Sequence, residues 1–127
     1  MNNENDDLLK LLPQLAKEEY CYLTTKGRKT GKPHEIEIWF GVAENTIYLL
    51  SGGGDESDWV KNLRATPEAT VRIGKYMFPV TARFVKDTTE EAMIRPLMAT
   101  KYNEWQERQI LSEWARNALV VGLDLHT

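Results

Sequence analysis

The seven positions from Lys26 to Lys32 hold four cations, Lys26, Arg28, Lys29 and Lys32, and Gly27 and Gly31 bracket the densest part. The chain around them is acidic, with a formal net charge of -3. A turn of this kind is chemically suited to one small anion. Gly27 and Gly31 permit the positive φ of a tight turn, and their neighbouring backbone N–H groups can converge on an anion. Arg28 offers a planar fork for two parallel hydrogen bonds to a phosphate, Lys29 a point charge and Thr30 a hydroxyl donor. His34 stands beside them, able to assist an anion or simply to face water. The spacing is not that of GxxxxGK[ST], and no helix follows, so nucleoside triphosphate hydrolysis is not indicated. Glycine and lysine also protect ordinary hairpin turns, so the turn alone leaves both readings open.

A second group follows an apolar run. Ser51-Gly52-Gly53-Gly54 lets a flat or bulky group approach the backbone, and the helix expected after it would present free N–H donors. The same glycines also make a plain flexible connector. Trp59, Asn62 and Leu63 recur at helical spacing; Leu63 fits a core, and Asn62 shares the Trp59 face, where its amide needs a partner. Tyr102 and Trp105 are able to wall a cavity or to fill the core. Glu35 and Glu37 share one strand face, which is equally a solvated face. Cys21 reads as strand core, and His126 stands apart at the chain end. One cysteine and two histidines make no zinc site, and no Ser-His-Asp set is present. Any redox chemistry would therefore belong to a cofactor.

The elements that must position these groups alternate in period. Leu8, Leu11, Leu12 and Leu15 predict a helix over 7–19, interrupted at Pro13. Strands are expected over 20–25, 34–42 and 46–51, arranged as an antiparallel meander. A helix follows over 55–65, stopped before Pro67, and then a hairpin of 69–74 with 76–85, in which Pro79 implies an edge or a bulge. Thr88 with Glu91 has the form of a capping box opening a helix to Tyr102; residues 104–114 continue as helix, and 118–125 is the last strand. In a meander, the cationic turn and the glycine loop share one end of the sheet. The fold class is α+β, a small barrel of about six mostly antiparallel strands with an N-terminal helix and helices between the later strands.

At 127 residues, with 42% apolar and 28% charged, the chain forms one domain over 1–127, with residues 1–6 as a disordered lead-in. Net negative charge argues against nucleic-acid binding. The polar, acidic start and the lack of a long apolar run make a cytoplasmic protein without an integral membrane segment the expectation.

Three motifs in order resemble the deazaflavin-dependent nitroreductase family, within the flavin-reductase-like split β-barrel superfamily. They are TTKGRKTG over 24–31, SGGG over 51–54 and WVKNLRATP over 59–67. The resemblance covers residues 20 to 73 strongly and KYNEWQ (101–106) more weakly. It implies a split barrel and an oxidoreductase that passes hydride from reduced coenzyme F-420, an 8-hydroxy-5-deazaflavin, to a small electron-poor acceptor such as a quinone, nitro compound or activated alkene. By that resemblance Arg28, Lys29 and Thr30 hold the phosphate arm, with His34 beside them. Ser51, Gly53 and Gly54 line the deazaflavin or substrate side, and Trp59 and Asn62 support the cofactor wall. Ser51 or Tyr102 would hydrogen-bond developing charge or relay a proton. His34 departs from the family's usual Arg and Glu37-Ile38 from its usual Pro-Leu, which marks a divergent branch. FMN in the same barrel, or a carrier of a planar ligand without turnover, are the alternatives. Split barrels of this kind often form homodimers.

Overall fold

The computed structural model describes residues 3–126. Helix α1, Asn3–Leu15, runs through Pro13 and seats Leu12 and Leu15 in the core. The polar lead-in is thus helical from Asn3 onward; Met1 and Asn2 lie outside the described residues. Strand β1 is Cys21–Lys26, whose Cys21, Leu23 and Thr25 point inward.

The alternating stretch 34–42 is not one strand. It divides at Trp39-Phe40 into β2, Pro33–Ile38, and β3, Gly41–Ala43. β2 pairs with β1, and β3 pairs with β4, Thr46–Ser51. With β5 (Glu68–Ile73), β6 (Tyr76–Phe84) and β7 (Leu119–Leu125), the order is β2-β1-β5-β6-β7-β4-β3, and every pair is antiparallel. The two edge strands are therefore neighbours in the chain. Ile38 and Gly41 are three residues apart, a reach of at most about 11 Å, so the sheet must curl until its edges meet. The result is the expected α+β split barrel, with seven strands where about six were expected and without the meander expected of the strands over 20–51.

β4 explains why the meander fails. All six of its residues are buried, so it needs a full-length neighbour as well as three-residue β3, and β7 supplies one from Thr46↔Asp124 to Ser51↔Leu119. Ile47 and Leu49 face the barrel interior with Leu23, Phe40, Val71 and Val121. Tyr48 and Leu50 face the other way, into a second cluster with Ile94 and Met98 of α3, Thr88–Asn103. A strand buried on both faces reads as a continuous apolar run, which is what TIYLL is.

Pro79 lies inside β6, opposite Thr70. The pairing of β6 with β7 begins one residue later, at Val80, so the missing N–H falls where no ladder bond is needed. Helix α2 is Asp58–Ala65, preceded by a short 3-10 turn at Gly54–Glu56. Asp87 caps α3 by accepting from the Thr89 and Glu90 N–H groups, in the place expected of Thr88. The helix ends at Glu104, which adopts φ 54, and α4 is confined to Glu113–Asn117, capped by Ser112. Residues 104–112 are consequently a connection and not the expected helix.

Beneath the start of α3, Arg83 donates from Nε to Asp124 (2.6 Å) and from Nη1 and Nη2 to Glu90 (2.7 and 2.6 Å). Tyr48 also donates to Glu90. The Arg83 hydrogen bonds hold the Glu90 carboxyl below its ordinary pKa. A depressed carboxylate contributes stability above its unfolded value of about 4.5 and loses it as pH falls through the folded pKa. Glu90→Gln should lower stability at pH 7 by about 1 kcal/mol, because solvent screens a pair whose arginine is 41% exposed. In urea titrations the gap between the two proteins should close below pH 4; a gap constant from pH 3 to 7 would show that the ion pair is not what is lost.

Candidate functional site

Asn62 joins the cationic turn to α2. It is 4% exposed, and its Nδ2 donates to Thr25 Oγ1 (3.1 Å). Its Oδ1 accepts from the Arg28 backbone N–H (3.2 Å) and from Arg28 Nη1 (2.8 Å). The helix places Asp58 one turn earlier, where Oδ1 accepts from Arg28 Nη2 (3.1 Å) and the backbone carbonyl from Nη1 (3.4 Å). Arg28 is thereby held through both Nη1 and Nη2, and its Nε–H makes no hydrogen bond among the described residues.

Gly31 takes φ +75, as a tight turn requires, but Gly27 does not have positive φ. Its reason is contact. A Cβ at Gly27 would lie 2.6 Å from the His34 ring and 3.0 Å from the Lys32 carbonyl oxygen. Gly27 N–H donates to Lys32 O (2.8 Å), and Thr30 Oγ1 accepts from the Lys32 N–H (3.2 Å), leaving the Thr30 hydroxyl hydrogen available. Arg28, Lys29, Thr30, His34, Trp59 and Asn62 all line one cavity of about 390 Å³. The turn, the start of β2 and one face of α2 therefore bring together six residues that the sequence scatters over more than thirty positions.

Ser51, Gly53 and Gly54 are not in that lining. Ser51 is 2% exposed, and its Oγ lies 2.9 Å from both Gly54 O and Ser57 Oγ. Gly54 takes φ +58, and a Cβ at Gly53 would lie 2.8 Å from Ser57 Oγ. The glycine loop is folded on itself, and its hydroxyls are spent on holding it. Gly52 instead faces the Trp114 ring.

Tyr102 lies elsewhere, at the break between β2 and β3. Its hydroxyl accepts from the Phe40 N–H (2.9 Å) and donates to Glu19 O (2.8 Å), with Phe40 O at 3.0 Å. Lys101 Nζ donates to the same Phe40 carbonyl (2.9 Å). Where the strand leaves one edge for the other, these side chains replace the missing ladder bonds. Burial raises the Tyr102 pKa to about 12 and lowers that of Lys101 to about 8. The Tyr102 ring stacks on Trp39 (4.3 Å, 6°), and Trp114 meets both edge-on. Trp39, 36% exposed, Trp114, Tyr20, Ile38 and Leu50 line a second cavity of about 260 Å³. Trp105, the other expected wall, donates to Gln109 O and closes its own connection. Sequence reading missed Trp39 and Trp114; an aromatic at the odd position of an alternating strand was the available signal for Trp39.

The two cavities follow one another along β2: His34, Glu35 and Ile36 line the first, and Glu37, Ile38 and Trp39 the second. A cavity lined by Arg28 and Lys29, followed along the strand by an aromatic one, suits a planar cofactor with a phosphate arm. Residues 5–121 match the F-420-H(2)-dependent quinone reductase family. The chain belongs to this family. It is an F-420-dependent reductase, and so an oxidoreductase.

Solved structures show the breadth of this fold. The chain is 22% identical to an F-420-H2-dependent reductase, with TM-score 0.64, covering 84% of this chain and 94% of that one. A FAD-binding protein from Mesorhizobium loti matches at 15% identity and TM-score 0.64 over 94% and 89% of the two chains. A heme storage protein from Vibrio cholerae matches at 14% identity and TM-score 0.69 over 100% and 92%. At such identities the likeness is one of fold, and this fold carries chemically different groups. The donor set decides the fit: two cations, a hydroxyl and an imidazole around one cavity match a phosphate, whereas no group of three or more histidine, cysteine or acidic residues that could hold a metal exists among the described residues. Nor is any described helix long and apolar enough to cross a membrane.

Proposed function

We propose that this F-420-dependent reductase binds the coenzyme with its phosphate at the cationic turn and reduces a planar, electron-poor acceptor held beside Trp39. The observation that carries this reading is the fixing of Arg28 by Asn62 and Asp58 in the lining of the 390 Å³ cavity. That bracing fixes the guanidinium before any ligand arrives, and binding need not order it. Lys29 adds charge, the Thr30 hydroxyl and His34 add donors, and Trp59 walls the cavity. Reduced F-420 supplies the hydride when bound there. A naphthoquinone-sized ring fits the aromatic cavity, with the outer face of Trp39 as its platform. Ser51 and Tyr102 act by position: one staples the glycine loop, the other holds the backbone from which Trp39 projects.

The test is anaerobic oxidation of reduced F-420 by the purified protein with a naphthoquinone, a nitroaromatic and an activated alkene. Turnover with the quinone, and a several-fold higher KM in Trp39→Ala with kcat little changed, is the expected result. Tight binding of reduced cofactor with no oxidation by any acceptor would favour the carrier reading.

A further inference from the structure

Trp114 walls the aromatic cavity from a helix that has little of its own to hold it. α4 has five residues, too few to stand on internal backbone bonds, and the connection over 104–112 before it is not helical. Both ends of α4 are tied to α3 instead. At its start, Ser112 Oγ donates to Asn103 Oδ1 (2.8 Å) and accepts from the Ala115 N–H (3.1 Å). At its end, Arg95 Nη1 donates to the carbonyls of Ala115 (3.1 Å) and Ala118 (2.9 Å), while Nη2 donates to Glu91 Oε1 (2.6 Å). A helix end leaves such carbonyls without an internal partner, and here the chain passes into β7 at Leu119. The Arg95 side chain is 17% exposed and faces the negative end of α4, where a cation is stabilising. Among the described residues, no other side chain bonds the α4 backbone at this end.

The geometry points to Arg95 as a positioning residue for the acceptor: through two carbonyls it clamps α4 to α3, and so sets Trp114 against Trp39 and Tyr102. This rests on the reading that the aromatic cavity takes the acceptor. Arg95 does not line that cavity, so its effect passes through the α4 backbone. Tyr102 belongs to α3 and Trp114 to α4, and their rings stand 6.1 Å apart at 86°. The clamp therefore fixes the angle between the two helices that carry them. A guanidinium suits the task, because its planar fork spans two carbonyls and a carboxylate at once, whereas an ammonium is a single point. Without the clamp α4 is free to shift, and the cavity loses one of its aromatic walls.

The experiment follows naphthoquinone binding to the cofactor-free full chain by quenching of tryptophan fluorescence. F-420 affinity, and KM and kcat under turnover, are measured on the same samples. Arg95→Met keeps the apolar stem and removes the fork. It should weaken quinone binding and raise KM about fivefold, the worth of one aromatic contact, with kcat and F-420 affinity within about twofold. Trp114→Ala should do the same, and the double variant should be no worse than Trp114→Ala, because Arg95 acts only through that ring. Arg95→Lys should cost about threefold, and it carries the test if Arg95→Met does not fold. A role confined to stability would lower the unfolding midpoint but leave quinone affinity unmoved in the folded protein, which would overturn the inference. So would losses that multiply in the double variant, or an F-420 affinity that falls as far as that for the quinone. Trp39→Ala separates the clamp from the acceptor site. Binding weakened in Trp39→Ala and Trp114→Ala but not in the Arg95 variants overturns the clamp alone. Binding unmoved in all of them overturns the acceptor site and the clamp with it.

Discussion

Asn62→Ala should destabilise the fold by about 2–3 kcal/mol and weaken F-420 binding about 100-fold. The stability loss follows from burial. Asn62 makes three hydrogen bonds across elements, and its removal leaves Thr25 Oγ1 and the Arg28 backbone N–H without those partners. Stranding a buried polar group costs about 1–3 kcal/mol, and more where a charged donor is involved. The affinity loss has a different source, because Asn62 need not touch the ligand. It sets where the Arg28 guanidinium stands, and losing charge-assisted hydrogen bonds worth about 3 kcal/mol from that group corresponds to about two orders of magnitude in affinity. Chemical denaturation and cofactor titration on the same samples check both halves. Asn62→Asp offers a control, since its carboxylate can still accept from Arg28 but cannot donate to Thr25. It should recover part of the affinity and less of the stability.

Tyr102→Phe should cost about 2 kcal/mol in stability and leave kcat at saturating cofactor within about twofold of the wild type. Without the hydroxyl, the Phe40 N–H has no acceptor at the point where the sheet passes from β2 to β3. The Trp39 stack survives, because it depends on the ring. A proton relay through Tyr102 would give the opposite pattern, with folding intact and kcat reduced by about 100-fold or more. Thermal unfolding and the pH profile of kcat together distinguish the two. A hydroxyl with its pKa raised to about 12 by burial, and already bonded to the backbone, is placed for holding the fold.

Much of this site was legible in the residues. Arg28, Lys29, Thr30, His34, Trp59 and Asn62 were read as one constellation from local motifs, and they do line one cavity. They could be read because each acts through its own side chain at a short offset from a glycine or a helix start. Ser51, Gly53 and Gly54 were expected beside them. Their partners, Gly54 O and Ser57, lie within six residues of Ser51, but a loop that folds on itself and one that opens to a ligand have the same composition. The break in strand 34–42 was invisible for a related reason. Its alternation is unbroken through Val42, and only the demand of β4 for a second full neighbour, together with Tyr102 and Lys101 binding the Phe40 backbone from sixty residues away, divides it. Barrel closure is a long-range property, and the local period of two carries no trace of it. The β1–β2 pairing and the β5–β6 hairpin, by contrast, follow from short turns and local alternation.

Whether the cationic turn receives the phosphate of F-420, as proposed, is tested by equilibrium binding without relying on turnover. Purified wild-type protein and the Arg28→Ala/Lys29→Ala variant are titrated with F-420 and followed by its fluorescence. Unfolding curves of both show that the variant is folded. Micromolar or tighter binding to the wild type, weakened by about 100-fold or more in the variant, is the expected outcome, since two charge-assisted contacts are worth about 3 kcal/mol or more together. Equal affinity in the two folded proteins would contradict the claim and place the phosphate away from this turn.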